Sequence, residues 1–514
     1  MRISRGSRRL PTRCWLSGWC KSAQGVKAPG WGKGVLRMTA HAGKERSHRP
    51  WGAFVALVAP LLALVMAALV FAPPAQSQGE SAARYTGVAS CAGSTCHGRM
   101  EGDGTVVRQD ELMTWQEPST PGGAHSRAWA VLNNNRSQFI ARNLGIGDPA
   151  KAQMCLGCHS TAGTARGVSA EDGVGCESCH GPAGGWLASH YAGVGTNADP
   201  DREMRDKHLA NLSAGLKKLE DPVVRAGVCV DCHFGSSADG QFVTHRIMAA
   251  GHPRISFELD LFSSLQAHHQ EDADYGWRKF GAAGRRTDHV QMWAVGQAAA
   301  IERSLALFQT RRGTEGIFPE FYFLDCHSCH RRIFDQAKPV RTGLDNPGRN
   351  LPEGMPPYND ENLIMLAAAA RMVSPALADQ LAARTAAFHT AMATDRASAV
   401  AAAARLSQTV AALKRAFASR SFSGADAFAM VDAIAAKAIR DRYTDYSGSQ
   451  QAVMGVDTLL NAMVSSGRIT VGAAAGIRAD IDRAYAAVKD PNAYKPAEFQ
   501  ASFASAVRAI GALR

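Results

Sequence analysis

Paired cysteines followed directly by histidine recur five times in this chain, and they constrain its fold more than any other feature. Four of these units have a two-residue spacer between the cysteines, and the first unit has a four-residue spacer. In chain order the cysteines are Cys91 and Cys96, Cys155 and Cys158, Cys176 and Cys179, Cys229 and Cys232, and Cys326 and Cys329. The histidines that follow them are His97, His159, His180, His233 and His330.

This spacing is typical of covalent haem attachment. Two thiols add across the two vinyl groups of one haem, and the adjacent histidine then reaches the iron from one side. A zinc ribbon also uses paired cysteines, but it does not require a histidine directly after the second one. A disulfide framework suits short secreted chains, whereas 514 residues are enough to build a core. The sequence therefore predicts a c-type cytochrome with five covalently attached haem c groups.

The N-terminal segment, residues 1–77, predicts export from the cytoplasm. Residues 1–50 carry twelve Lys or Arg and one acid, and an apolar run follows from Gly52 to Ala72. Ala75 and Ser77 are small residues that suit a cleavage site. The run is also long enough to span a bilayer if it stays uncleaved, so a membrane anchor over residues 52–72 is the alternative. Either way, we expect the rest of the chain in the periplasm.

The basic charge belongs almost entirely to this leader. The other residues hold 45 basic and 44 acidic side chains. A chain that is close to neutral outside its leader offers no basic surface for nucleic acid. We therefore expect no nucleic-acid partner.

Composition divides the remaining chain into three parts. Residues 84–345 hold all five units and are rich in Gly, His and aromatic residues, with few long periodic stretches. A Pro- and Gly-rich linker covers residues 346–361, and residues 362–514 are Ala-rich and contain no cysteine. We expect a mainly α fold without a large sheet: a multihaem cytochrome c domain with little regular structure, then a bundle of five to seven helices. The clearest helical stripe comprises Val400, Ala403, Leu406, Val410, Leu413 and Phe417.

A second axial ligand on each iron would distinguish an electron carrier from an enzyme. Beyond the leader and the five units' final histidines, ten histidines remain: His125, His190, His208, His245, His252, His268, His269, His289, His327 and His389. We expect His327, between the cysteines of its own unit, not to reach that unit's iron. We expect His389, in the Ala-rich region, to be a solvated helix residue. The candidate ligands by position are His245, His252 and His268, and the other histidines stay open.

One part of the chain closely resembles the cytochrome c554 family, which are periplasmic tetrahaem electron carriers. The resemblance rests on residues 173–182, Gly-Val-Gly-Cys-Glu-Ser-Cys-His-Gly-Pro, on His190 ten residues after His180, and on Trp115 with residues 124–128, Ala-His-Ser-Arg-Ala. It spans residues 85–235. By this resemblance His125 and His190 are distal ligands, each to a haem whose proximal histidine lies elsewhere in the chain. The first spacer, the fifth unit and the C-terminal region depart from the family pattern.

Electron transfer is the function that these features predict, with the five haems relaying single electrons between redox partner proteins. The resemblance leaves room for an alternative, because the tetrahaem relatives contain one five-coordinate haem. In that case the protein would be an oxidoreductase of small nitrogen or sulfur species, and no catalytic residue is assigned. We also expect that the C-terminal bundle could form a homo-oligomer. Contact with a membrane is expected only if residues 52–72 stay uncleaved.

Overall fold

Helices form the regular structure of the residues that the computed structural model describes. These residues are 84–101, 109–161, 168–192, 200–254, 256–266, 268, 287–314, 318–330, 349, 351–352, 355–437, 446–490 and 493–514. They contain no β-strand, and a single bridge joins Leu324 to Tyr358. The expectation of a mainly α fold without a large sheet is confirmed.

The predicted leader, residues 1–77, lies outside the described residues. None of the helices in the described ranges combines the length and the apolar composition that a membrane span requires.

The part of the chain that carries the first four units is built from short helices. Four of these helices are capped by a side chain that accepts a hydrogen bond from a backbone N–H group of the first turn. The capping residues are Asn134, Asp221, Thr244 and Glu258. The helices are α1 (Glu111–Gln116), α2 (Asn135–Leu144), α3 (Gln153–His159), α4 (Cys176–His180), α5 (Leu187–Tyr191), α6 (Pro200–Ser213), α7 (Pro222–His233), α8 (His245–Ala249) and α9 (Leu259–Leu265).

A long helix, α10 (His289–Gln309), runs through the centre of the molecule. Fifteen of its residues are buried, so that apolar side chains face neighbours on nearly every side. It packs against α7, which carries the fourth unit, and against the helices that follow it in the chain. Two short helices come next, α11 (Arg311–Thr314) and α12 (Cys326–Cys329). Helix α10 therefore connects haem attachment to the C-terminal core.

Seven described helices lie beyond residue 360. They are α13 (Glu361–Val373), α14 (Pro375–Met392), α15 (Arg396–Ala418), α16 (Gly424–Ala435), α17 (Tyr446–Ser465), α18 (Val471–Ala487) and α19 (Pro496–Gly511). The stripe predicted on α15 is confirmed, because five of its six side chains are buried and Val400 is partly buried against the core. The side chains of Ser374, Asp395 and Ser423 cap the helices that follow them.

The haem-binding part and the C-terminal helices share one hydrophobic core, which runs from Ala226 to Ile510. Polar contacts reinforce the junction. Arg254 pairs with Glu361 at 3.0 Å, and the Thr458 hydroxyl donates to Glu258 at 2.8 Å. Burial, with Asp260 nearby, raises the pKa of Glu258 to about 7. The boundaries at residues 345 and 362 stay a prediction, since the core continues across the intervening segment.

We predict that packing on α15 controls the stability of the C-terminal core. Leu406→Ala should lower the free energy of unfolding by about 2–5 kcal/mol, because Leu406 is fully buried and its removal leaves a cavity. Leu209→Ala is the matched control, since Leu209 is 61% exposed and its loss should change stability by only about 0.5 kcal/mol. Urea unfolding followed by far-ultraviolet circular dichroism gives both values. Equal effects of the two substitutions would contradict the packing described here.

Candidate haem-binding sites

The attachment units sit mostly on short helical turns. The second, third and fourth units end helices α3, α4 and α7, and the fifth forms α12. Residues three apart on a helix lie on the same face, so each two-residue spacer turns both thiols toward one side. The first unit follows a short 3-10 helix, Val88–Ser90, and its longer spacer lies in turns. The described cysteines form no disulfide with one another.

Thiols from different units meet in two places. Cys91 of the first unit hydrogen-bonds Cys176 of the third, which raises the pKa of Cys91 and lowers the pKa of Cys176. Cys158 of the second unit hydrogen-bonds Cys232 of the fourth, which lowers the pKa of Cys158 and raises the pKa of Cys232. The chain therefore brings unit one to unit three, and unit two to unit four, a pairing that the sequence order does not reveal.

Every attachment histidine faces one other histidine from a distant part of the chain. The distances between ring centroids lie between 6.1 and 6.4 Å. The pairs are His97 with His190, His159 with His252, His180 with His268, His233 with His125, and His330 with His245. The five second histidines are the five candidates from the sequence, and the structure brings each of them to a different unit.

This separation fits an iron bound between two imidazoles. A metal–imidazole nitrogen bond is about 2.0–2.1 Å long, so two bonds in line place the nitrogens about 4 Å apart. Half a ring on each side then brings the centroids to about 6 Å. Direct ring stacking or a hydrogen bond between the rings would not require this uniform gap. The residues present therefore fit haem iron at all five positions.

A large cavity lies among the first four attachment units. Its volume is about 2360 Å³, well above the range of about 300–1,000 Å³ for a typical small-ligand pocket. Cysteines and the final histidine of each of these units line it, together with His125, His190 and His268. The cavity therefore suits several large planar groups side by side. Residues of the fifth unit do not line it.

Burial lowers the pKa of four of these imidazoles and so favours their neutral form. Desolvation lowers the pKa of His125, His159 and His252, and it lowers the pKa of His233 to about 4. A neutral imidazole is the form that binds a metal. His97 differs, because a hydrogen bond to Glu111 raises its pKa.

Hydrogen bonds orient several rings through the nitrogen that faces away from the gap. Nδ1 of His159 lies 2.6 Å from the Ala128 carbonyl oxygen, and Nδ1 of His252 lies 2.8 Å from that of Pro253. The Gln266 carbonyl oxygen lies 2.8 Å from His268 Nδ1. A backbone carbonyl at Nδ1 leaves Nε2 as the nitrogen that binds metal.

A single short segment, residues 244–254, carries two of the second histidines. Thr244 caps α8, and Glu320 accepts from the His245 backbone N–H at 2.8 Å. At the other end, Arg136 and Asn143 of α2 donate to the carbonyls of Gly251 at 2.8 Å and Ala250 at 3.0 Å. Gly251 has a φ of 121°, which side chains rarely tolerate, and an added Cβ would lie 3.2 Å from Ile140. Helix α2 thus holds the end of the segment that bears His252.

The other histidines have different environments. His208 lies 2.7 Å from Glu220, and His289 lies 2.8 Å from Asp260. The expectation that His389 is solvated is wrong: its side chain is fully buried, and burial lowers its pKa to about 4. His389 lies 3.5 Å from Asp360, inside the C-terminal core. His269 and the side chain of His327 lie outside the described residues.

Sequence reasoning missed two buried carboxylates near the first and third units. Glu111, the first residue of α1, lies 2.9 Å from His97 Nδ1. Glu177, between the cysteines of the third unit, accepts from the backbone N–H groups of Gly87 at 2.8 Å and Ala183 at 2.6 Å. Glu177 is one of the residues that carry the family resemblance, but the sequence assigns it no role. Nothing in the spacing between His97 and Glu111 signals their contact.

Comparison with protein families places part of the chain. Residues 90–181 match the family described as cytochrome c554 and c-prime. The match confirms the resemblance over this cytochrome c554-type segment, which includes the first three units. It supports a c-type cytochrome electron carrier with covalently bound haem c. The fourth and fifth units lie outside the match. No curated protein and no solved structure matches the chain.

We predict two classes of low-spin iron signal. The ring planes of His97 and His190 are 18° apart and those of His245 and His330 are 33° apart, whereas the other three pairs differ by 74°, 87° and 81°. The relative orientation of axial imidazoles controls the splitting of the iron d orbitals. Electron paramagnetic resonance of the oxidised protein should therefore show near-parallel and near-perpendicular signals in a ratio of two to three. A single class would contradict these ring orientations.

Proposed function

We propose that this protein is a periplasmic cytochrome that holds five haem c groups, each between two histidines, and relays single electrons between redox partner proteins. The observation that carries the proposal is the set of five histidine pairs with centroids 6.1 to 6.4 Å apart. Haem c supplies one-electron chemistry at its iron when it is bound.

The chain's own residues supply attachment, ligation and insulation. Paired cysteines would hold each group covalently, and the neighbouring histidine would provide one ligand to its iron. A histidine from a distant segment would provide a second ligand, which would keep small molecules away from the metal. Paired imidazoles favour a low-spin iron that changes little on reduction, and this suits relay.

The contacts between thiols support a short path for electrons. Because Cys91 is next to Cys176 and Cys158 is next to Cys232, haems attached at these cysteines would be close neighbours. Single electrons could then cross the domain in short steps.

The enzyme alternative requires an attachment histidine without an opposite ligand. Each of the five has one among the described residues. No observation on these residues favours an open iron. The electron carrier is therefore the function that the geometry supports.

Location and assembly remain proposals that rest on the sequence. The apolar run before residue 77 supports export, and the cytochrome c554-type segment is consistent with a periplasmic protein. Homo-oligomer formation through the C-terminal helices is likewise a proposal, and Val471 is a large apolar side chain that these helices leave exposed. Redox partner proteins remain the proposed partners.

We predict five haems per chain and no reaction with carbon monoxide. A pyridine haemochrome assay of the purified protein gives the haem count, and the visible spectrum of the dithionite-reduced protein before and after carbon monoxide tests for an open site. The spectrum should not change, because all five axial positions opposite the attachment histidines are filled. A Soret shift equal to about one haem's absorbance would overturn the proposal and favour the enzyme.

We predict that removing one axial histidine opens one iron. His252→Ala should leave the haem count at five and allow carbon monoxide to bind about one haem, because no other described histidine pairs with His159. His208→Ala is the matched control, since His208 pairs with Glu220 instead of an attachment histidine. It should bind no carbon monoxide. If His252→Ala also binds none, His252 is not an axial ligand.

A further inference from the structure

The surroundings of the attachment histidine differ in kind between the first and fourth units. At the first unit a buried carboxylate contacts the ring, and at the fourth unit aromatic side chains surround it. Ring environment controls how strongly an imidazole donates electrons to a metal. The difference should therefore affect the reduction potentials of the two haems. This inference rests on the bis-histidine carrier proposed above.

Glu111 is fixed beside His97 by the backbone as well as by its side chain. Its Oε2 atom lies 2.9 Å from His97 Nδ1, and the residue is 5% exposed. The Leu112 N–H donates to the His97 carbonyl at 3.0 Å, which clamps the start of α1 onto the first unit. In a second contact, the Arg99 N–H donates to the Gln109 carbonyl at 2.7 Å, which joins the chain after the first unit to the chain before α1. The carboxylate is thus a built part of this site.

A carboxylate at Nδ1 strengthens the ligand. It accepts the Nδ1 proton, increases the electron density of the ring and makes Nε2 a stronger donor to iron. Stronger donation stabilises the ferric state more than the ferrous state. Burial strengthens the effect, because solvent does not screen a charge in the protein interior. The backbone carbonyl at His159 is neutral and has a weaker effect.

His233 has the opposite environment. Its Nδ1 is buried and has no hydrogen-bond partner among the described residues. The ring centroids of Phe257 and Phe262 lie 5.1 and 5.3 Å from the centroid of the His233 ring. An apolar cage disfavours the extra positive charge of ferric iron, and an imidazole without an acceptor is a weaker donor. Both effects raise the potential at this position.

We infer that Glu111 makes the haem between His97 and His190 the lowest in potential, and that the apolar cage of His233 makes the haem between His233 and His125 the highest. Glu111 is a positioning residue in this scheme, because it acts through His97. The buried carboxyl group of Glu177 lies in the third unit, whose Cys176 is next to Cys91 of the first unit. Electrons then run downhill from the pair of units one and three to the pair of units two and four.

Glu111→Gln tests the role of the carboxylate. The amide keeps the size of the side chain but accepts the Nδ1 proton less strongly. The one-electron equilibrium of the lowest-potential haem should shift at least tenfold toward reduction, or about 59 mV, with five haems retained. Spectropotentiometric titration measures this shift. Glu117→Gln is the matched control, because Glu117 follows the end of α1 and its side chain contacts Ser119 instead of a histidine. It should leave every potential unchanged.

Two ligand variants identify which haem is which without changing Glu111. A methionine ligand raises the potential of a haem. His190→Met should therefore raise the lowest of the five potentials, and His125→Met should raise the highest. If His190→Met raises any other potential instead, the proposed order of potentials is overturned, even when Glu111→Gln fails to fold. A normal haem count with no shift in Glu111→Gln overturns the role of Glu111. Carbon monoxide binding to the wild-type protein would instead overturn the proposed carrier function and would do so whatever the order of potentials.

Discussion

The pairing of two distant histidines across each gap is the interaction on which the rest of this structure depends. In each pair one member directly follows an attachment cysteine, and the other comes from a distant segment of the chain. An iron held between them would act as a crosslink between separate parts of the chain. The described residues around the first four units form only short helices and no strand, so crosslinks of this kind would replace much of the core that a conventional domain needs.

The two members of a pair are separated by 85 residues at the least, for His245 and His330, and by 108 at the most, for His125 and His233. All five crosslinks are therefore long-range, and closing such long loops is what makes them effective in ordering a region of short helices.

Local chemistry explains which features the sequence predicts. The attachment units are recognisable because both thiols and the histidine must lie on one turn of chain, so their spacing is fixed. The stripe on α15 is visible for the same reason, since a buried helix face repeats every three to four residues. The five second histidines could be chosen as candidates, but their partners could not, because the pairing depends on how distant segments fold together.

Features without a local signature were missed. His389 lies in an Ala-rich helix where a polar residue usually faces solvent, yet tertiary packing buries it beside Asp360. The contact between Glu111 and His97 depends on a backbone clamp that no spacing rule describes. The central position of α10 was also not predicted, because its sequence is apolar on nearly every side and therefore has a weak helical periodicity.

The segment that carries both His245 and His252 has a consequence for how the protein matures. During synthesis the second unit emerges well before this segment, and the fifth unit emerges after it. The hydrogen bonds that hold this segment come from α2 at one end and from Glu320, just before the fifth unit, at the other. Both sets can form only after Glu320 has been made. Completion of the second site is therefore delayed until nearly all of the cysteine-bearing chain has been made. Maturation of an early site is thus tied to the arrival of a late one.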